Sequence, residues 1–276
     1  MEGGLGLSRR LNFLFGLGGQ ISLAQEAFMA LGAFTSIYLT KLGIPPLLAM
    51  QLAGVLVSLA GLNFGLPSLR LKELYLLITT LGAQFFFDWL LRTERMVWFS
   101  GGAYAVYAPP LSLGPLDLSS GYPLYAAAIT ITILHLVALA NLERSYIGRA
   151  FKAIRDRDVA AEIIGVNIFK YKLLAFVASA YLAAVGGALW AFAVRSVSVE
   201  SFTFLTSLEV FAAILIGGLG RVVWGSVLGA AFVVGVPEAI KIALAGVGIR
   251  GLEIALRDVI FGAIILAFLL TGPRIV

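Results

Sequence analysis

Cysteine is absent from these 276 residues, and histidine occurs once. Neither a disulfide frame nor a thiol-based metal site is possible, and one imidazole builds no zinc site alone. Charge is scarce as well. Only 13% of residues are charged, against about a quarter in an ordinary soluble domain. No G-x-x-x-x-G-K-[ST] run occurs, so phosphate binding through a P-loop is excluded. No clustered His, Asp and Glu set suits hydrolysis or group transfer, which argues against an intramembrane enzyme. The start, MEGGLGLSRRLNF, has no apolar run ahead of its arginines, so a cleavable signal peptide is not expected. No soluble domain, linker or low-complexity tract is visible, and residues 1–276 read as a single membrane domain.

Apolar residues are abundant, at 60% of the chain, and 31 glycines stand in addition to them. Runs of roughly 20 apolar residues match the thickness of a bilayer core. Eight such segments stand near residues 18–40, 46–66, 73–91, 123–142, 172–194, 206–220, 223–245 and 253–272. The expected fold class is therefore an all-α polytopic membrane protein of about eight transmembrane helices. Internal glycines predict broken helices, and the short segment 206–220 is a candidate re-entrant piece.

The net charge of +5 needs no nucleic-acid partner, because membrane proteins gather Lys and Arg in cytoplasmic loops. The densest cluster is RSYIGRAFKAIRDRDVAAEIIGVNIFKYK, Arg144 to Lys172. With loop 143–171 inside, Arg9, Arg10, Arg70, Lys72 and Arg274 also fall inside. Lys41, Arg92, Arg95, Arg195 and Arg250 scatter outside. The long loop 92–122, with Pro109, Pro110, Pro115 and several aromatics, is external. It reads either as a cap or docking surface, or as a connector with its Trp and Tyr at headgroup depth.

Within the charged loop, 149–165 reads as one helix too polar to enter lipid. Phe151, Ile154, Val159, Ile163 and Val166 mark one side loosely. Such a helix either lies against lipid headgroups or docks a cytoplasmic protein.

The order of the motifs favours docking. Ala160, Ala161 and Gly165 have the small-small-x-x-x-Gly spacing of the cytoplasmic loop in ATP-binding-cassette importer permeases. Val159 replaces the usual Glu before the two alanines, and Asp158 stands one place earlier. The resemblance extends through GLGGQISLAQEAFMALGAF, GLPSLRLKELYLLITTLG, SYIGRAFKAIRDRDVAAEIIGVNIFKYKLLAFVASAYLAAVGGALWA, GGLGRVVWGSVLGA and RDVIFGAIILAFLLTGPR. In this order they resemble the inner-membrane permeases of branched-chain amino-acid importers, the LivM type. That family usually carries one more apolar helix before the glycine-glutamine segment, and a small residue where Glu26 stands.

The resemblance implies a permease subunit in a prokaryotic cytoplasmic membrane. It also implies a homologous second permease, two cytoplasmic ATPases and an external substrate-binding protein, with ATP and Mg held by the ATPases and no cofactor in this chain. Arg149, Lys152, Arg155, Asp158, Ala160, Ala161 and Gly165 would then face the ATPase. Gly16, Gly18, Gly19, Gln20 and Ser22 break a helix inside lipid and are candidates for the transport pathway, since freed backbone groups can meet a zwitterion. Branched-chain amino acids are the expected cargo, with urea or short amides the alternative. A stand-alone secondary transporter is the rival class. It would need unpaired intramembrane charge, whereas Glu238 with Lys241 and Glu253 with Arg257 have helical pairing distance, and Glu209 stands in the short segment. Asp88 is placed near an outer end and His135 reads as a packing residue. GVGIRG, Gly246 to Gly251, lacks the strand context of a dinucleotide site, and Gly225 with Gly229 suits close helix packing.

Overall fold

A computed structural model describes residues 23–68, 73–102, 104–113, 116–118, 121–204 and 206–208, with 210, 228–232, 234–236, 238–239, 242, 259 and 262–263. The long helices are α1 (Gln25–Lys41), α2 (Pro46–Ser68) and α3 (Glu73–Arg92). After a 3-10 turn and the short α4 (Val97–Ser100), the chain forms the two-residue strands β1 (Val106–Tyr107), β2 (Ser112–Leu113) and β3 (Leu116–Asp117). Then follow α5 (Gly121–Arg144), α6 (Tyr146–Asp156), α7 (Asp158–Ile163), α8 (Ile168–Val194) and β4 (Ser196–Val197). Pro46–Leu66, Gly121–Arg144 and Ile168–Val194 are long and apolar enough to cross a bilayer. The chain is an all-α polytopic membrane protein. The segments expected at 206–220, 223–245 and 253–272 lie largely outside the described residues, as do Glu209, Lys241, Glu253, Arg257, Gly225 and Gly246 to Gly251.

The core forms where α8 meets α1 and α2. Lipid tails are as apolar as leucine, so membrane helices gain by packing backbone to backbone through small residues. On α8, Ala180, Ala183, Ala184, Gly187, Ala188 and Ala191 are all buried. A Cβ on Gly187 would lie 2.1 Å from the Met29 carbonyl oxygen, and one on Gly32 would lie 2.2 Å from that of Ala184. Phe28, Phe34, Phe176 and Phe192 fill the space beside this crossing. Phe28 meets Phe176 edge-on at 5.8 Å.

Partner numbering gives the helix directions. Gln25 meets Ser179 and Gly32 meets Ala184, so α1 and α8 run the same way. Gly54 lies by Val185, Gly61 by Ala180 and Gly65 by Phe176, so α2 runs opposite. Leu23 meets Thr80 and Ala27 meets Gln84, which aligns α3 with α1. The alternation matches the one expected from charge. Loop 92–122 and the α6–α7 loop therefore lie at opposite ends of the bundle.

The long loop folds onto the end of α8. β1 pairs antiparallel with β4, Val106 opposite Val197. The Ala108 amide donates to the Arg195 carbonyl at 2.9 Å, and Leu111 is fully buried. Arg92 pairs with Asp88 at 3.0 Å and approaches Glu200 at 3.9 Å. Asp88 thus sits at the end of the bundle that carries loop 92–122, in a partly exposed ion pair. His135 bonds the Ile131 carbonyl at 2.8 Å and packs near Tyr181, as a packing histidine would.

Gly187→Ala should destabilise by about 3 kcal/mol or more, because an added methyl meets rigid backbone rather than a movable side chain. Gly82→Ala, with nothing within 4 Å of the added methyl, should be neutral or stabilising by up to about 1 kcal/mol. Thermal unfolding of the detergent-solubilised protein separates the two.

Candidate coupling elbow and the open end of α1

One residue separates α5 from α6. Ser145 caps α6 by accepting from the Gly148 amide at 3.4 Å, and its hydroxyl donates to the Leu142 carbonyl at 2.6 Å. The turn is so tight that a Cβ on Gly148 would lie 2.1 Å from the Glu143 carbonyl oxygen. Lys152 reaches back to Glu143 at 3.0 Å. Both are partly solvated, so this pair guides geometry more than it stabilises. Arg149 donates to the Arg144 carbonyl at 3.4 Å. Ala150, Phe151 and Ile154 turn inward, and Phe151 meets Tyr171 of α8 edge-on at 6.2 Å.

The single helix expected over 149–165 is two helices. Arg157 is extended, at φ −158° and ψ 102°, and α7 restarts at Asp158. The Asp158 carboxylate accepts from the Val159 amide at 2.8 Å. An acidic group at a helix start satisfies open amides and opposes the helix dipole, which favours a fresh start there. The break has a consequence for the loosely apolar side. Phe151 and Ile154 are buried, while Val159, Ile163 and Ile164 are 67%, 81% and 74% exposed.

The spacing Ala161 to Gly165 has a local cause. Gly165 adopts φ +88°, which a glycine reaches at no steric cost. Its amide bonds the Glu162 carbonyl at 2.9 Å, and the Val166 amide bonds that of Ala161 at 3.0 Å. This pair of reversed bonds is a Schellman helix end. Ala161 is turned inward and buried, whereas Ala160 is exposed. Asn167 then caps α8 by accepting from the Lys170 amide at 3.0 Å. An open cleft of about 500 Å³ lies beside this turn, lined by Glu162, Gly165, Val166, Asn167, Ile168, Phe169 and Lys172. Arg149, Arg155 and Asp158 are exposed around the same end and Lys152 partly so.

A second polar region lies inside the bundle, where α1 begins. Gln25, at the start of α1, bonds Ser179, eleven residues beyond Ile168. At 1.5 Å per residue that is roughly 16 Å along α8. Helix α1 therefore starts well within the bundle, as an interrupted segment would. The expected pathway residues Gly18, Gly19, Gln20 and Ser22 lie just before it, outside the described residues. Gln25, Glu26, Thr80, Gln84, Ser179 and Ser207 are all at least nine-tenths buried. Glu26 occupies the first turn of α1, where the helix dipole favours a carboxylate. Sequence reading singled out Glu26 alone of these. The available signal was polar side chains inside apolar helices, with Thr80 and Gln84 four apart on one face.

Helices of this kind, joined by a charged elbow at one end and a folded cap at the other, define a polytopic membrane permease. The chain belongs to the family of branched-chain amino acid transport system permease components, which it matches over residues 7–269. It is 32% identical over 76% of its length to the high-affinity branched-chain amino acid transport system permease protein LivM of Escherichia coli, covering 55% of that protein. It thus spans about half the length of that relative. To LivH of the same system in E. coli it is 25% identical over 94% of its length and 86% of the relative's. To the autoinducer 2 import system permease protein LsrC of Enterobacter it is 28% identical over 67% of its length and 53% of the relative's. No solved structure matches.

The absence of cysteine makes the two ends directly testable. A single cysteine at Ile163 should react with a membrane-impermeant thiol reagent only from the cytoplasmic side, and one at Tyr104 only from outside. Inside-out and right-side-out vesicles give the comparison. The same side for both would contradict the topology.

Proposed function

We propose that the chain is the transmembrane subunit of an ATP-binding-cassette importer in a prokaryotic cytoplasmic membrane, and that it moves branched-chain amino acids. A homologous second permease, two cytoplasmic ATPases carrying ATP and Mg, and an external binding protein complete the assembly. The reading is carried by the elbow. The α7 tip projects Val159, Ile163 and Ile164 into solvent, ringed by charge, at the end of the molecule that gathers Lys and Arg. Water-exposed isoleucines in such a cluster suit burial in a protein cleft better than contact with headgroups. Membership of the permease family supports the ATPase as the occupant, since the chain has no P-loop of its own.

Force would enter at α7 and pass through the elbow into α5 and through Phe151 and Tyr171 into α8. Because α8 is in backbone contact with α1, the same push would move the open end of α1. Cargo is the less constrained part. The name of the LsrC relative describes a permease for autoinducer 2, so a related permease serves a different solute. Urea and short amides therefore remain the alternative cargo.

Docking is tested by co-purification with the ATPase subunits. Ala160→Arg and Ile163→Glu change exposed α7 side chains while Gly165 and the backbone bonds of the Schellman turn are left in place. Each should weaken capture about tenfold, equal to about 1.4 kcal/mol, while the permease still accumulates. Undiminished capture by the double variant would remove the docking reading. Gly165→Arg is a poorer probe, because any side chain at φ +88° strains the turn itself.

A further inference from the structure

We propose that Thr80 and Gln84 of α3 are positioning residues that cap the open end of α1 from a neighbouring helix, and so hold the mid-membrane break in register for transport. The first amides of any helix lack intrahelical partners. In water they would be solvated. Inside a bilayer they must be bonded by protein. At the start of α1 the N-cap position is Ala24, whose side chain makes no cap hydrogen bond. The acceptors come instead from α3. Thr80 Oγ1 accepts from the Leu23 amide at 3.2 Å, and Gln84 Oε1 accepts from the Ala27 amide at 2.8 Å. The two side chains lie one helical turn apart on α3, and their targets lie four residues apart, Leu23 just ahead of α1 and Ala27 in its first turn. Each is 2% exposed.

Gln84 does more than cap. Its Nε2 donates to the Phe202 carbonyl at 3.4 Å, in the stretch that follows β4. One carboxamide thus ties α1, α3 and the chain beyond α8 at a single point. Across α1, Gln25 Nε2 donates to Ser179 Oγ at 2.7 Å and ties the same turn to α8. A leucine would fit the space of Gln84 in an apolar bundle. It would leave a buried amide and a carbonyl without these partners, which is the more costly outcome in lipid.

This inference rests on the transport reading for its uptake assay, and amide exchange tests it apart from any cargo. Uptake and ATP hydrolysis are measured in the complete complex, reconstituted with its second permease, ATPases and binding protein. Thr80→Val and Gln84→Leu should each lower maximal uptake about tenfold or more, since an orphaned buried amide costs on that order. Membrane level and ATPase capture should be unchanged, so that ATP turnover exceeds transport. Thr80→Ser keeps the hydroxyl and should stay within about twofold of the native protein. Normal coupling in both Thr80→Val and Gln84→Leu would overturn the proposal. So would a Thr80→Ser variant as impaired as Thr80→Val, because volume and not the hydroxyl would then matter. Should the apolar variants fail to accumulate, hydrogen exchange on the native protein decides. The Leu23 and Ala27 amides should exchange as slowly as the interior of α1, and rapid exchange there would refute the cap.

Discussion

Inside a bilayer no water is present to bond a stray amide, and the rest of this structure depends on that constraint. It forces the described spanning segments into helix. It also makes an interrupted helix tolerable only where protein supplies the missing bonds. Helix α1 begins well inside the bundle, beside Ser179 and within reach of Thr80 and Gln84. Thr80 and Gln84 do for the Leu23 and Ala27 amides what solvent does at a surface helix, and Ser179 ties the Gln25 side chain beside them.

The same scarcity of driving force explains the alanines and glycines of α8. Hydrophobic burial gains little when lipid is the alternative, so close contact becomes the source of cohesion. Gly187 against Met29 and Gly32 against Ala184 bring two backbones together with no side chain between them. Contacts of that kind do not slide by degrees. They pack α1 and α8 as one body, with the elbow at the foot of α8.

Much of this was legible in the sequence. Helices α2, α3 and α8 stand close to where their apolar runs place them, because run length and bilayer thickness leave little choice. Helix directions followed from the placement of Lys and Arg. The elbow was found from its charge, yet its interior was misread as one helix. A break at Arg157 depends on the local competition set up by Asp158, which a loose apolar periodicity does not register. Ala161 and Gly165 were visible as a spacing, and the structure shows that the spacing first of all ends a helix. Thr80, Gln84, Gln25 and Ser179 went unremarked for a different reason. They are sparse polar residues in apolar runs, Thr80 and Gln84 on one of them, and their meaning lies in a meeting of three helices that no single run encodes.

The central claim is that α1 and α8 move together when force enters at the elbow. It is tested most directly by spin labels at Leu42 and Val194, at the outer ends of the two helices, in the assembled complex. Electron–electron resonance should give a separation that stays constant within about 2 Å between the nucleotide-free and ATP-trapped states, the scale of small helix adjustments. A change of about 5 Å or more, a full helical turn of slip, would show that the two helices part during the cycle and would contradict the account.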